Sequence, residues 1–462
     1  MKKSLKVFAS VMVFAILTSC GTAIQPEQVT VNPSPLTVVG NLVEADITGT
    51  FPVKKFGAKA VLTITPVLKY EGGEVVGEPV TFVGEKAKEN GTTIPYKAGG
   101  RFAMKASFEY VPAMAKSELK WVDGTSLNIC GHTIRNAENP YSRLETKPYG
   151  FENNAIIRYS QYSTGLYVMF KTNSSKVAVN WVNTHTKVRD NITGIAQLGV
   201  DLYVKEGKNW RFCQVGRLST KPGAHEHKWT IVRNMTKTEK EFMLYLPLWS
   251  EVKSLKIGID EDATIEAIPS PYKYRVVTYG TSTMHGASPS RPGLAMLSRM
   301  SRDLGIEFTN FCFSGQGKMD AESGKVLSQV ETDAILCYCF GNANAKQIDE
   351  RLDGWVENLV KSHPGKPIIF LRLFHEADRQ YDMKKRNRHI QKTELINRKM
   401  KAITKQYKDV YYLSVDYAFG TDWEDTIDAS HPNDLGFDRL LKSYEPKIAK
   451  VLKKYGIKPN KK

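Results

Sequence analysis

Over the first half of the chain and a little beyond, apolar and polar residues alternate; from about Tyr274 they gather into short apolar runs separated by helix-period stretches. Alternation marks strands with one face in a core, whereas unbroken apolar runs between helices mark strands buried on both faces. The first alternating region, from about Gln28 to Met114, contains Ala60-Val61-Leu62-Thr63-Ile64-Thr65 and Arg101-Phe102-Ala103-Met104-Lys105-Ala106-Ser107-Phe108, broken by Gly72-Gly73 and Gly99-Gly100. It predicts an immunoglobulin-like β-sandwich. The second, from about Trp121 to Pro269, has candidate strands at Ala155–Tyr159, Leu166–Phe170, Lys176–Trp181 and Phe242–Pro247, and predicts a jelly-roll-like sandwich. Beyond it, Arg275–Gly280, Glu307–Phe313, Ala334–Phe340, Pro367–Phe374 and Val410–Val415 read as buried strands. Helices are expected between them near Gly293–Leu304, Ile348–Ser362 and Thr393–Tyr407, with a last one over Gly436–Tyr455. That order predicts a three-layer α/β domain on a parallel sheet, whose ligands bind at the carboxyl ends of the strands.

The chain therefore divides into a leader at 1–19, an all-β spacer or adhesion domain at 20–120, an all-β domain at 121–270 and the α/β domain at 271–462. A length of 462 residues fits such a multidomain chain. In the leader, Lys2, Lys3 and Lys6 precede an apolar run from Val7 to Leu17, of signal-peptide length and too short to span a bilayer stably. It ends in Leu17-Thr18-Ser19-Cys20, which resembles the bacterial lipobox. That resemblance implies cleavage before Cys20, lipidation of its thiol, and anchoring in the bacterial cell envelope, with the outer membrane expected.

Lys plus Arg total 65 against 48 Asp plus Glu, a net charge of +17, but the surplus is spread along the chain. Neither a dense basic stripe nor a nucleic-acid motif is present, so no nucleic-acid partner is expected. With Cys20 lipidated, Cys130, Cys213, Cys312, Cys337 and Cys339 remain, an odd number without zinc-knuckle spacing. Cys337 and Cys339 are read as buried small hydrophobes, and His225 and His227 as members of a solvated loop. No metal or cofactor set is expected.

Each predicted strand end of the α/β domain carries a candidate for chemistry. After the first comes Tyr279-Gly280-Thr281-Ser282-Thr283-Met284-His285-Gly286, a small-residue turn that would expose Ser282 Oγ as a nucleophile. After the second, Phe313-Ser314-Gly315-Gln316-Gly317 offers glycine, at which a backbone amide can approach an anionic oxygen. After the third, Gly341-Asn342 offers a side-chain amide donor. Before the last helix, Asp428-Ala429-Ser430-His431-Pro432-Asn433 supplies a histidine to take the serine proton and a carboxylate to orient it. These are the residue types that acyl transfer needs.

The order Ser, Gly, Asn, Asp-x-x-His resembles the SGNH/GDSL hydrolase superfamily. Gly199-Val200-Asp201-Leu202-Tyr203, Pro140-Tyr141-Ser142-Arg143-Leu144, Arg291-Pro292-Gly293 and the run from Asn310 to Met319 resemble its branch with an N-terminal G-x-D-L-Y β-domain. In the leading segment, Ile47-Thr48-Gly49-Thr50-Phe51-Pro52 and Val67-Leu68-Lys69-Tyr70-Glu71-Gly72-Gly73 resemble Bacteroides-type outer-membrane-associated proteins. The superfamily resemblance implies Ser282 as nucleophile, His431 as base, Asp428 as its partner, and Ser282, Gly315 and Asn342 as oxyanion-hole donors. It implies a serine esterase acting on O-acyl groups, foremost acetyl groups of a glycan, by an acyl-enzyme route without a cofactor. A lipid or thioester acylhydrolase is the enzymatic alternative, and a catalytically degenerate glycan-binding or adhesive lipoprotein the non-enzymatic one. The chain departs from the branch at the third block, where Tyr338-Cys339-Phe340-Gly341-Asn342 stands in place of an Asp-containing strand end followed by Pro-x-Asn or Pro-Asn.

Overall fold

The structure is a computed structural model that describes residues 119–379 and 381–459 throughout and, before them, strand segments between residues 10 and 109. The chain divides into two compact units, Met1–Ser117 and Glu118–Lys462. Cys20 lies outside the described residues.

The first unit is antiparallel. One sheet is built on Val61–Tyr70 and the other on Leu42–Thr50, which pairs with Arg101–Glu109. Where side chains are described the alternation is strict: Ala45 and Ile47 are buried while Glu44, Asp46 and Thr48 are exposed, and Met104, Ala106 and Phe108 are buried between exposed neighbours. The expected leader contributes one element to this unit. Ser10–Thr18 forms a strand paired antiparallel along Val61–Tyr70, from Ser10↔Lys69 to Thr18↔Val61. In the uncleaved chain its Val, Phe and Ile residues have strand propensity, and an open sheet edge supplies backbone partners.

The second unit holds both the second all-β region and the α/β region. Its β part consists of a four-stranded and a six-stranded antiparallel sheet. Buried side chains fill the space between them, among them Phe170, Trp181, Phe242 and Leu255. Two sequence readings are corrected here. The run Ala155–Tyr159 is not a strand but lies in a helix, Asn154–Gln161. Asn153 caps it, accepting bonds from the Ala155 and Ile156 amides, and the buried residues Ile156, Tyr159 and Ser160 follow helical spacing. His227 is not in a solvated loop. It is buried in the strand Glu226–Val232, beside the Trp181 ring.

The α/β part has five parallel strands: β1 (Arg275–Gly280), β2 (Glu307–Cys312), β3 (Ala334–Tyr338), β4 (Ile368–Leu371) and β5 (Val410–Leu413), in the order β2-β1-β3-β4-β5. Alternate residues enter opposite cores. Val277, Tyr279, Ile335, Cys337, Ile368 and Phe370 face one, and Val276, Leu336, Tyr338, Ile369 and Leu371 the other. Burial on both faces is why these strands read as continuous apolar runs. Cys337 and Cys339 lie buried in the same core as free thiols, and burial raises the pKa of both.

The helices are α1 (Ser282–His285), α2 (Met296–Leu304), α3 (Ala321–Gln329), α4 (Ala345–Ser362), α5 (Met383–Gln406) and α6 (Asp434–Lys454). Residues 321–329 carry few apolar positions, so the sequence pattern misses α3, which Asp320 caps. The strand order reverses around β1. Loops after β1 and β3 diverge there, leaving a crevice at the carboxyl edge of the sheet.

Candidate active site

Ser282 stands in that crevice as the first residue of α1. Its N–H belongs to the first turn of a helix and has no intrahelical acceptor. The turn closes quickly: Gly286 and Ala287 both donate to the Ser282 carbonyl, and Gly286 is left-handed at φ 111°.

The loop between β5 and α6 brings up the partners. His431 Nε2 lies 2.9 Å from Ser282 Oγ, and His431 Nδ1 lies 2.7 Å from Asp428 Oδ2. Asp428 Oδ1 accepts from the backbone amides of Ser430, at 3.1 Å, and His431, at 2.7 Å. Its two oxygens are thus divided between the loop backbone and the imidazole. Ile427 N–H donates to the His431 carbonyl, closing the loop, and Ala429 at its tip is left-handed at φ 60°. Burial alone would raise the Asp428 pKa. The hydrogen bonds from the His431 and Asn191 side chains and the His431 amide outweigh it and hold that pKa down to about 2.

Asn342, on the loop after β3, lines a cavity of about 390 Å³ together with Ser282 and Asp428, and its buried Oδ1 has no hydrogen-bond partner among the described residues. Where the branch usually has Asp, Tyr338 stacks on Phe374 at 4.0 Å between ring centroids and forms part of the wall. Gly315 occupies the turn after β2. The requirement for glycine there is its φ of 74° and not lack of room, since a Cβ would meet nothing within 4 Å. The close approach belongs to Gly317, where a Cβ would sit 2.6 Å from the Gly280 carbonyl oxygen. Among the described residues the Gly315 N–H makes no hydrogen bond.

Sequence reasoning missed Asn191. This residue comes from the all-β region, and its Nδ2 donates to Asp428 Oδ2 at 2.8 Å and lies 3.4 Å from His431 Nδ1. Ser288 Oγ donates to the Asn191 carbonyl, and Thr193 Oγ1 to the Ser290 carbonyl, fixing the segment against the loop after α1. No local motif marks Asn191, because its role depends on a contact across 237 residues.

The motifs of the β-domain serve the same junction. Arg143 is fully buried and donates to the carbonyls of Tyr159, Asn310 and Cys312 and to Asn310 Oδ1. Asp201, buried in the strand Val200–Glu206, pairs with Arg291 at 2.6 Å and accepts from Gly293 N–H at 3.0 Å. A Cβ at Gly293 would lie 2.5 Å from the Tyr203 ring. Larger cavities lie near Trp355, about 660 Å³, and near Cys130, about 470 Å³. Neither contains Ser282 or its partners.

Comparison with known proteins agrees with this architecture. The GDSL-like lipase/acylhydrolase family profile matches residues 273–449, and the profile of the N-terminus of SGNH-hydrolase-type esterases matches 119–265. A structure described as a GDSL-like lipase from Bacteroides ovatus is 36% identical over 73% of this chain and 98% of its own, with a TM-score of 0.69. The salicylyl-acyltransferase SsfX3 of a tetracycline biosynthetic pathway shares the fold at 16% identity and a TM-score of 0.52, covering 74% of this chain and 99% of its own. A family two carbohydrate esterase from Cellvibrio japonicus, 12% identical, covers 73% of this chain and 99% of its own with a TM-score of 0.49. No curated protein matches the sequence. The chain belongs to the GDSL-like lipase/acylhydrolase family and is an SGNH-type acylhydrolase, with the G-x-D-L-Y domain ahead of its hydrolase domain.

Proposed function

We propose that the protein is a serine esterase that removes short acyl groups, foremost acetyl, from a glycan. The observation that carries the chemistry is the unbroken line Ser282 Oγ, His431 Nε2, His431 Nδ1, Asp428 Oδ2, with contacts of 2.9 and 2.7 Å at its two hydrogen bonds. Ser282 Oγ attacks the ester carbonyl while His431 Nε2 takes its proton, and Asp428 supports the charged imidazole. The tetrahedral oxyanion is received by the Ser282 and Gly315 amides and the Asn342 side chain. His431 then returns the proton to the departing sugar oxygen. Water, deprotonated by the same imidazole, cleaves the acyl-enzyme.

The size and lining of the cavity support a short acyl group and a polar alcohol. Among the described residues Leu373 is the one large aliphatic side chain in its wall, which gives a long lipid chain little apolar surface there. This disfavours the lipid acylhydrolase alternative. We also propose that the two all-β regions are Ig-like and jelly-roll-like sandwiches, and that lipidated Cys20 holds the enzyme in the cell envelope, with the first sandwich as spacer.

Labelling with a fluorophosphonate tests the catalytic reading. Wild type is expected to be modified and Ser282→Ala to be inert, with hydrolysis of an acetyl ester falling by roughly 10³-fold or more. Undiminished labelling of Ser282→Ala would exclude Ser282 as nucleophile.

A further inference from the structure

The cavity that holds Ser282 is also lined by cationic side chains. Lys385 and Lys392 of α5 line it, together with His375 and His389. Helix α5 begins at Met383, ten residues before the start read from the sequence, and this extra length brings Lys385, His389 and Lys392 to the site. A heavily basic helix face is ordinarily solvated. Here Lys392 is half-buried, and its Nζ donates to the Gly341 carbonyl at 3.0 Å, next to Asn342. Burial lowers its pKa to about 8, so the ammonium is kept at neutral pH at a cost.

Little negative charge opposes this wall. Among the described residues, Asp428 is the one carboxylate in the cavity lining, and it is already engaged by His431, Asn191 and two backbone amides. The neighbouring acids are turned to other partners: Glu376 to Arg372 at 2.9 Å and Asp378 to the Tyr417 hydroxyl at 3.1 Å. Asp382 lies 4.0 Å from the exposed Lys385 ammonium and caps α5 through two backbone amides. His389 is pushed below the ordinary imidazole range by burial and lies 3.0 Å from the His375 carbonyl, so it adds polarity without charge. The cavity is therefore lined by two lysines, Lys392 half-buried and Lys385 exposed at its edge, against one carboxylate that is already engaged. In a partly dehydrated pocket such a field selects an anion.

We propose that the ester substrate is acidic: the sugar bearing the acyl group, or one adjoining it, carries a carboxylate or sulfate that is held by Lys385 and Lys392. This rests on the esterase reading above and adds the charge class of the substrate to it. An anion there would replace water around Lys392 and orient the glycan with its ester toward Ser282.

The test compares full-length enzyme on acetylated methyl xyloside and acetylated methyl glucuronoside, which differ by the ring carboxylate, and on an acetylated sulfated monosaccharide. We expect kcat/KM at low salt to favour at least one acidic ester by about tenfold or more, and the preference to shrink as ionic strength rises. The carboxylated and sulfated arms identify which anion is read. In Lys385→Gln and Lys392→Gln the ratio of acidic to neutral kcat/KM should fall several-fold, with a larger share of the change in KM. Equal kcat/KM for all three esters, or a preference for the neutral one, overturns this proposal and leaves the esterase reading standing. Hydrolysis of none of these or of any simple acetyl ester overturns both.

Discussion

Asn191 Nδ2 donates to Asp428 Oδ2 at 2.8 Å, so a residue of the β-domain touches the carboxylate that orients the candidate base. The catalytic loop is therefore completed across a domain junction. Asn191 is a positioning residue, acting on His431 through Asp428. Asn191→Ala should lower kcat about five- to tenfold, matching roughly 1 kcal/mol for one such hydrogen bond, and leave KM nearly unchanged. Asn191→Asp should do more damage, because it sets a second carboxylate against Asp428. Steady-state kinetics beside a thermal melt separates this from unfolding. Equal kcat in all three proteins would remove Asn191 from the site.

The same bond bears on pH. The Asp428 pKa is held down to about 2 from the ordinary 3.8. A depressed carboxylate stabilises the fold above its unfolded pKa, and that contribution is lost as pH falls from about 3.8 through about 2. Asp428 should thus remain charged throughout the range from pH 7 to 4. Carbon NMR of its carboxyl group should show no titration above about pH 3 in wild type and an upward-shifted midpoint in Asn191→Ala. A wild-type midpoint at or above 3.8 contradicts the hydrogen-bond pattern.

Much of the site was legible because its chemistry sits at strand ends, and the buried runs of β1 to β5 announce those ends. Ser282, His431 and Asp428, which the structure brings into one hydrogen-bonded line, stand out in the sequence by their order. The glycine at 315 was legible as a type, but its physical reason, a left-handed φ, was not. Asn191 and Arg143 act through tertiary contacts that no local period encodes. Ala155–Tyr159 misled because a short apolar run suits either a strand or a buried helix, and only the Asn153 cap decides. The cationic wall stayed hidden because a basic run does not reveal which of its lysines turn inward.

The junction also predicts how the chain can be cut. Tyr159, Tyr162, Leu248 and Trp249 of the β-domain share one core with Tyr279, Phe311 and Phe313 of the hydrolase domain. A fragment beginning at residue 271 should be insoluble or inactive, since it bares that surface and leaves the carbonyls of Asn310 and Cys312 without Arg143. A fragment beginning at Glu118 keeps the whole second unit and should hydrolyse a small acetyl ester as the full chain does. Arg143→Met should lower stability by about 1–3 kcal/mol, because buried carbonyls lose their donor. Chemical denaturation measures this, and a stable, active fragment from 271 refutes the shared core.

Membrane attachment is tested at Cys20. Cys20→Ser should release the protein from membranes or leave its leader uncleaved. Correct processing with unchanged, detergent-requiring membrane association would defeat the lipoprotein reading.

Lys392 separates stability from function. Its pKa falls from 10.5 to about 8, chiefly through burial, and the group facing it is Cys339. Cys339 is itself a neutral thiol there, its pKa raised by burial. Lys385 and His389 share its helix, and Asp428 and His375 face the cavity from other elements. Because the folded pKa lies below the unfolded one, the charged lysine weakens the fold fully below pH about 8, and the penalty fades as pH rises from there toward 10.5. A shift of that size corresponds to about 3 kcal/mol at neutral pH. Lys392→Met removes the charge and keeps the aliphatic stem, at the loss of one hydrogen bond to the Gly341 carbonyl worth about 1 kcal/mol. At pH 7 the variant should therefore be more stable than wild type, by about 1–3 kcal/mol, and the gap should close as pH approaches 10. Its kcat/KM for an acidic ester should fall at the same time, the pattern of a residue kept for function against the interest of the fold. A variant that loses stability at pH 7 would place Lys392 among the supports of the loop after β3 and take away its role in reading charge.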